Sequence, residues 1–87
     1  MQHVDQIMTC ELSFVSIGSA EYIEEINQVI DIIKDSGIEY SVSLMSTTLR
    51  GERELVFKII RRIFDEMDEK CKFTMIMKMS NECGCSA

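Results

Sequence analysis

The sequence predicts an α+β fold in which two helices cover one face of a four-stranded antiparallel sheet. Two long runs carry apolar residues at helical spacing, and four shorter runs alternate polar and apolar residues as strands do. Their order along the 87 residues is β-α-β-β-α-β. Because crossover connections are right-handed, both helices lie on the same side of the sheet, which is the ferredoxin-like arrangement.

The first part of the chain supplies one strand and one helix. Strict alternation starts at Cys10, where the first strand is expected to begin, and residues 16–19 interrupt it. Ser19 is expected to cap a helix over residues 20–36, and Gly37 closes that helix in the left-handed conformation. The broad apolar stripe of the helix marks the side that packs on the sheet.

The rest of the chain supplies three strands and the second helix. A tight reversal at Met45-Ser46 joins two of the strands, and Gly51 ends the second of them. The expected bounds are residues 38–44 and 47–50 for these strands, 52–70 for the helix and 71–80 for the last strand. Methionines recur on one face of the last strand, and we expect them to pack in the core rather than to bind a soft metal.

The sheet face that points away from the helices, called the open face below, is expected to mix polar and apolar side chains. A mixed face of this kind can bind a ligand, a partner sheet or both. Its expected members are Glu11, Ser13, Val15, Glu39, Ser41, Ser43, Lys72, Thr74, Ile76 and Lys78.

Composition and charge limit the possible partners. A net charge of −6 and a pI near 4.6 argue against binding to nucleic acid or to an anionic membrane surface. The N-terminal residues lack the segments of a signal peptide and no apolar run could span a membrane, so we expect a cytoplasmic protein. One packed domain is expected at residues 10–81, between a polar lead-in at residues 1–9 and a flexible tail at residues 82–87.

The histidine and the last cysteines do not form a recognisable reactive site. Cys83 and Cys85 supply two thiolates, whereas a structural zinc site usually needs four ligands. His3 is the only histidine, and no nucleophile or further ligand accompanies it. No catalytic residue, metal or cofactor is therefore predicted.

A cluster of hydroxyl side chains occupies the middle of the chain, in the segment Ser46-Thr47-Thr48-Leu49-Arg50-Gly51. Because a hydroxyl group both donates and accepts hydrogen bonds, these side chains are suited to contact a small polar ligand. A purely structural interpretation is also available and is favoured by these six residues alone, since threonine favours strands and serine favours turns. The spacing alone leaves both interpretations open.

Residues 10–81 resemble the thiamine/hydroxymethylpyrimidine-binding domains of the YkoF-like type. The resemblance rests on three places: Ile17-Gly18 followed by a helix with an early tyrosine, the segment from Met45 to Gly51, and the strand that ends in Ser80-Asn81. Thr47 and Gly51 match the threonine and glycine of the family. Arg50 departs from it, because the family commonly has an acidic residue there.

The resemblance implies a non-enzymatic protein that binds thiamine or its hydroxymethylpyrimidine moiety. Six residues are implied to contact the ligand: Ser16, Gly18, Tyr22, Ser46, Thr47 and Thr48. The three central hydroxyls would bind the edge of the aminopyrimidine. Tyr22 would stack on a cationic or electron-poor ring.

Self-association is also implied, because the family includes chains that carry two copies of the domain. A chain with a single copy would complete the two-domain arrangement by associating with another subunit, as a homodimer or a homotetramer. The alternative is a homo-oligomeric regulatory or interaction module that uses the open face and takes no thiamine-type ligand. Val15 and Ile76, which are expected on that face, favour this alternative because neither side chain suits contact with water.

Overall fold

The computed structural model describes residues 6–82 and confirms the ferredoxin-like α+β fold. The strands are β1 (Ile7–Ile17), β2 (Glu39–Val42), β3 (Thr47–Glu52) and β4 (Lys72–Ser80), and the helices are α1 (Tyr22–Asp35) and α2 (Arg53–Asp68). They follow one another in the predicted order β-α-β-β-α-β. All strand pairs are antiparallel, and the strand order across the sheet is β2-β3-β1-β4.

The core lies between the sheet and both helices. Its most deeply buried side chains come from β1, β3, α1 and α2: Cys10, Leu12, Ile33, Leu49, Val56, Ile63 and Met67. Alternation along β1 sends Cys10 and Leu12 to this side, as predicted. Burial raises the pKa of the Cys10 thiol, so this side chain stays protonated and packs as a small hydrophobe.

β1 is longer than the alternation predicts. It begins at Ile7 rather than at Cys10. Met8 pairs with Gly51 of β3, and its side chain is buried in the core. Pairing with β3 therefore extends the strand into residues that the sequence pattern assigns to a polar lead-in.

β2 is shorter than predicted, and the reversal comes earlier in the chain. The Ser43 N–H donates to the Ser46 carbonyl at 2.8 Å, which places Leu44 and Met45 at the tip of the hairpin. The predicted reversal at Met45-Ser46 is therefore wrong by one residue. Ser43 lies in this turn and not on the open face, because β2 already ends at Val42.

Two residues have roles that differ from those predicted. Ser19 does not cap α1: its Oγ accepts the Glu21 N–H at 3.0 Å and donates to Glu25 at 2.9 Å. Gly51 does not end β3, which continues beyond it. A Cβ at Gly51 would lie 3.0 Å from the Ile38 side chain. Glycine at this position therefore permits close packing of Ile38 against the strand.

Some predictions concern residues outside the described part of the chain. They are those for His3, Cys83 and Cys85. Within residues 6–82, no helix combines the length and the apolar character that crossing a membrane requires.

Candidate functional site

A cleft lies between α1, β1 and the hairpin that joins β2 to β3, and its volume is about 110 Å³. It exists because β1 extends beyond β3. The last residue pair between these strands is Leu12 with Thr47, whereas β1 stays paired with β4 as far as Ile17. Among residues 6–82, no strand pairs with the β3 side of β1 beyond Leu12, which leaves a gap beside α1.

The cleft combines apolar walls with a polar end. The lining residues are Leu12, Phe14, Ile26, Val29, Ile30 and residues 42–47. β1 and α1 supply the apolar walls, and the hairpin supplies the hydroxyl groups. None of the lining residues carries a formal charge. Such a surface suits a flat ring with polar atoms on one edge.

The three central hydroxyls do not form one wall. Alternation along β3 turns Thr47 toward the cleft and Thr48 toward the open face, where Thr48 pairs with Glu11. Ser46 borders the cleft, but its hydroxyl donates to Glu11 Oε2 at 2.8 Å. The Thr47 hydroxyl makes no hydrogen bond within residues 6–82. Of the three, Thr47 is therefore the one that can offer its hydroxyl to a ligand in the cleft.

Glu11 and Ser13 fix the hairpin against the rest of the sheet. The Glu11 carboxylate accepts the hydrogen bond from Ser46, and its Oε1 lies 3.9 Å from Lys78 Nζ. Ser13 Oγ donates to the Met45 carbonyl at 3.0 Å. Both bonds are made on the open face, so they hold the polar end of the cleft without entering it.

A second polar cluster lies at the start of α1 and is centred on Glu25. Ser16 Oγ donates to Glu25 Oε1 at 2.6 Å, and Ser19 Oγ donates to Oε2 at 2.9 Å. The hydrogen bond from Ser16 is the main cause that lowers the pKa of Glu25, so the carboxylate stays ionised. Cys71 also contacts this carboxylate; burial, followed by the charge of Glu25, raises the pKa of its thiol.

The other predicted ligand residues lie beside the cleft and do not line it. Ser16 follows Phe14 by two residues on the same strand face, about 7 Å further along β1. Gly18 lies in the connection to α1 with a φ of 66°. Tyr22 is exposed and precedes Ile26 by about one helical turn. These three residues therefore flank the end of the cleft that is nearest to the start of α1.

Two residues of this region are not identified by the sequence analysis. Alternation along β1 places Phe14 on the core side of the strand, but its side chain is only partly buried and lines the cleft. Glu25 is one of several glutamates that suit the start of a helix, and the fold brings Ser16 and Ser19 to it. The available signal for Glu25 is the pair of serines shortly before α1, with Ser16 near the end of β1 and Ser19 in the connection.

Two other clefts are less suited to a cationic ligand. One, of about 210 Å³, is lined by Arg53 among other residues, and another, of about 230 Å³, by Lys58 and Arg62. Their cationic side chains would repel a positively charged ring. Within residues 6–82, no group of three or more histidine, cysteine, aspartate or glutamate side chains is placed to hold a metal ion.

A comparison with protein-family models finds a match that covers most of the sequence. A family model described as "Thiamine-binding protein" matches residues 10–84. No curated protein matches the chain.

Solved structures share the fold at low sequence identity. A Thermotoga maritima protein, described provisionally as a thiamine biosynthesis/salvage protein, is 19% identical with a TM-score of 0.80 over 93% of this chain and 89% of that chain. A domain of unknown function from Bacillus cereus is 20% identical with a TM-score of 0.78 over 94% and 82%. A hypothetical protein from Methanocaldococcus jannascii is 14% identical with a TM-score of 0.80 over 93% and 86%. At these identities the structures establish the fold alone.

Proposed function

Because the chain belongs to the thiamine-binding protein family, we propose that it binds thiamine or its hydroxymethylpyrimidine moiety without catalysing a reaction. The observation that carries the proposal is the unengaged Thr47 hydroxyl at the polar end of an uncharged cleft whose β1 and α1 walls are apolar. An aminopyrimidine has two flat faces and a polar edge, so it matches both parts of this cleft. We further propose that the protein binds this ligand in the cytoplasm.

The volume of the cleft supports the placement of only one ring of thiamine inside it. A typical small-molecule pocket has a volume of roughly 300 Å³ or more, and this cleft has about 110 Å³. We assign the pyrimidine ring to the cleft, against Phe14 and Thr47. The thiazolium ring of thiamine then extends past the end of the cleft toward the start of α1.

The start of α1 suits a cationic ring. Glu21, Glu24 and Glu25 lie within its first turns, and the hydrogen-bonded Glu25 carboxylate stays ionised. Tyr22 is exposed beside them and offers a ring face for a cation–π contact. Ser16 and Gly18 belong to the same end of the cleft and complete the proposed contact region.

The side chains around the cleft favour binding over catalysis. A cysteine acts as a nucleophile when it is a thiolate, and burial raises the pKa of both Cys10 and Cys71. The Glu25 carboxylate lies beside the start of α1, and Ser16 and Ser19 already occupy its oxygens. A lowered pKa makes such a carboxylate a weaker proton acceptor, which disfavours a role as general base.

The proposed binder acts as a homodimer or homotetramer. Small domains often complete their burial by association, and this chain exposes several large apolar side chains. Val15, Ile17 and Ile76 are exposed on the open face. This exposure also favours the alternative function, an interaction module that assembles through the open face and takes no thiamine-type ligand.

Isothermal titration calorimetry tests the proposed ligand. We expect both thiamine and hydroxymethylpyrimidine to release or absorb heat on binding, at protein concentrations of about 100 μM where a micromolar dissociation constant is measurable. Thiamine is expected to bind more tightly, because its thiazolium charge lies near the acidic start of α1. The free thiazole alcohol serves as the control and is expected to give no binding isotherm.

Two results would contradict the proposal. An absence of binding by both thiamine and hydroxymethylpyrimidine would leave the interaction module as the function. Equal binding of the thiazole alcohol would show that the cleft does not select the pyrimidine.

A further inference from the structure

Part of the backbone of β1 faces the cleft. Along an antiparallel strand, the N–H and C=O of one residue point to the same side, and successive residues alternate between the two neighbouring strands. The Arg53 N–H donates to the Gln6 carbonyl at 2.9 Å, so Gln6 points to the β3 side. The register of β1 is unbroken over Ile7–Ile17. The backbone groups of Phe14 and Ser16 therefore point to the β3 side as well.

The hairpin does not supply a partner for the backbone of Phe14. Continuation of the β1–β3 register beyond Leu12 would bring Met45 opposite Phe14. However, β3 begins only at Thr47. The Met45 carbonyl instead accepts the hydrogen bond from Ser13 Oγ at 3.0 Å, on the open face. Within residues 6–82, no backbone hydrogen bond joins the hairpin to Phe14, and its N–H and C=O are left facing the cleft.

Backbone groups in such a place need a partner. A buried N–H or C=O without one costs about as much free energy as a lost hydrogen bond. Phe14 is partly buried, and Ile26, Val29 and Ile30 of α1 line the same cleft. A molecule that enters the cleft is therefore in a position to bind these two groups.

The backbone of Phe14 offers one donor and one acceptor side by side. The N–H can bind a ring nitrogen, and the C=O can bind an amino hydrogen. A 4-aminopyrimidine carries the complementary pair on one edge, because its ring atom N3 lies next to the 4-amino group. A 4-oxopyrimidine carries the opposite pair, a protonated N3 next to a carbonyl oxygen.

We propose that the N–H and C=O of Phe14 select the 4-amino form of the pyrimidine, by binding N3 and the 4-amino group at the same time. This inference rests on the proposed function, because it assigns the contact that distinguishes pyrimidines within the same cleft. The ring then extends the plane of the sheet beside β1, where a paired strand would otherwise lie. One face of the ring lies against the apolar side chains of α1.

The Thr47 hydroxyl has a separate role in this arrangement. It reaches the cleft from β3, on the other side of the gap from Phe14. Ring atom N1 lies on the edge of the pyrimidine opposite N3 and the amino group, so Thr47 can donate to N1 while Phe14 binds the first edge. Selection of the amino group therefore does not depend on the Thr47 side chain.

Isothermal titration calorimetry with three pyrimidines tests the selectivity. Hydroxymethylpyrimidine is the reference, and two analogues carry hydrogen or oxygen in place of its 4-amino group. Hydrogen removes one hydrogen bond and is expected to raise the dissociation constant roughly tenfold. Oxygen places donor against donor and acceptor against acceptor, and it is expected to raise the dissociation constant by roughly 100-fold or more.

Thr47→Val separates the backbone contact from the side-chain contact. This variant is expected to bind hydroxymethylpyrimidine more weakly. The ratio of the dissociation constants for the hydrogen analogue and hydroxymethylpyrimidine is expected to stay near its wild-type value, because Thr47 and Phe14 bind different atoms of the ring.

Amide hydrogen exchange of the free protein, followed by NMR, tests the backbone geometry without any ligand. Leu12 pairs with β3 and Val15 points to β4, so both amides are expected to exchange slowly. The Phe14 amide is expected to exchange roughly tenfold faster than either of them, or more. Saturation with hydroxymethylpyrimidine is expected to slow exchange at Phe14 and to move its amide proton downfield.

Four results would overturn the inference. Slow exchange of the Phe14 amide in the free protein would show that a partner is already present. Equal binding of the 4-amino and 4-oxo compounds would remove the selectivity but leave the proposed function intact. Loss of the preference for the amino group in Thr47→Val would assign that contact to the hydroxyl. If neither hydroxymethylpyrimidine nor thiamine binds, the proposed function fails and this inference fails with it.

Discussion

Replacing Thr47 with valine is expected to weaken ligand binding by about 1–3 kcal/mol, the cost of leaving a buried polar partner without its hydrogen bond. That cost corresponds to a dissociation constant raised by roughly 5- to 150-fold. Valine has nearly the same shape as threonine, so the cleft keeps its form. Since the Thr47 hydroxyl has no hydrogen-bond partner within residues 6–82, the free energy of unfolding is expected to stay nearly unchanged.

Thr48→Val is the matched control for this experiment. Thr48 is the next residue of β3, but its side chain lies on the open face. We expect calorimetry to give an unchanged affinity for this variant. A larger loss of affinity for Thr48→Val than for Thr47→Val would place the ligand on the open face and contradict the assignment to the cleft.

Replacing Leu49 with alanine is expected to lower the free energy of unfolding by about 2–5 kcal/mol, as for other fully buried leucines. The Leu49 side chain has no solvent exposure. It lies on β3 between Cys10 of β1 and Tyr40 of β2, so its removal leaves a cavity under the middle of the sheet. Urea-induced unfolding measures this loss.

Leu44→Ala makes the same chemical change at the tip of the hairpin. Leu44 is fully exposed, so we expect the free energy of unfolding to change by less than about 0.5 kcal/mol. Equal losses in the two variants would contradict the burial that distinguishes these two positions. A loss confined to Leu49→Ala would support the placement of β3 in the centre of the fold.

The fold is largely predictable because local patterns and tertiary packing agree. The stripes of the two helices identify their buried sides without reference to any other part of the chain. The alternation of β4 is a weaker guide: Met77 and Met79 are 40% and 42% exposed, so the prediction that they pack in the core is wrong. Strand ends are less predictable, because pairing partners set them. β1 reaches back to Ile7 since β3 continues to Glu52 and pairs with it there. β2 stops at Val42 since the Ser43–Ser46 hydrogen bond closes the hairpin.

The candidate site is only partly predictable for the same reason. The segment around Thr47 is recognisable as a set of hydroxyls, but which of them face the cleft depends on the register of β3 against β1. Arg50 illustrates this limit. It stands where an acidic residue is common in the family, and in the fold its guanidinium pairs with Glu39 at 2.8 Å. Both residues belong to the open face of the sheet, so Arg50 does not bring a positive charge into the cleft.

The central claim is that the hydroxymethylpyrimidine ring binds in the cleft between α1, β1 and the hairpin. Amide NMR spectra of isotopically labelled protein, recorded during titration with hydroxymethylpyrimidine, test it most directly. We expect the largest shifts at Phe14, Ile30 and Thr47, which line the cleft, and small shifts at Met79, which lies at the β4 edge. Saturable shifts centred on Met79, with Phe14 and Thr47 unaffected, would contradict the claim.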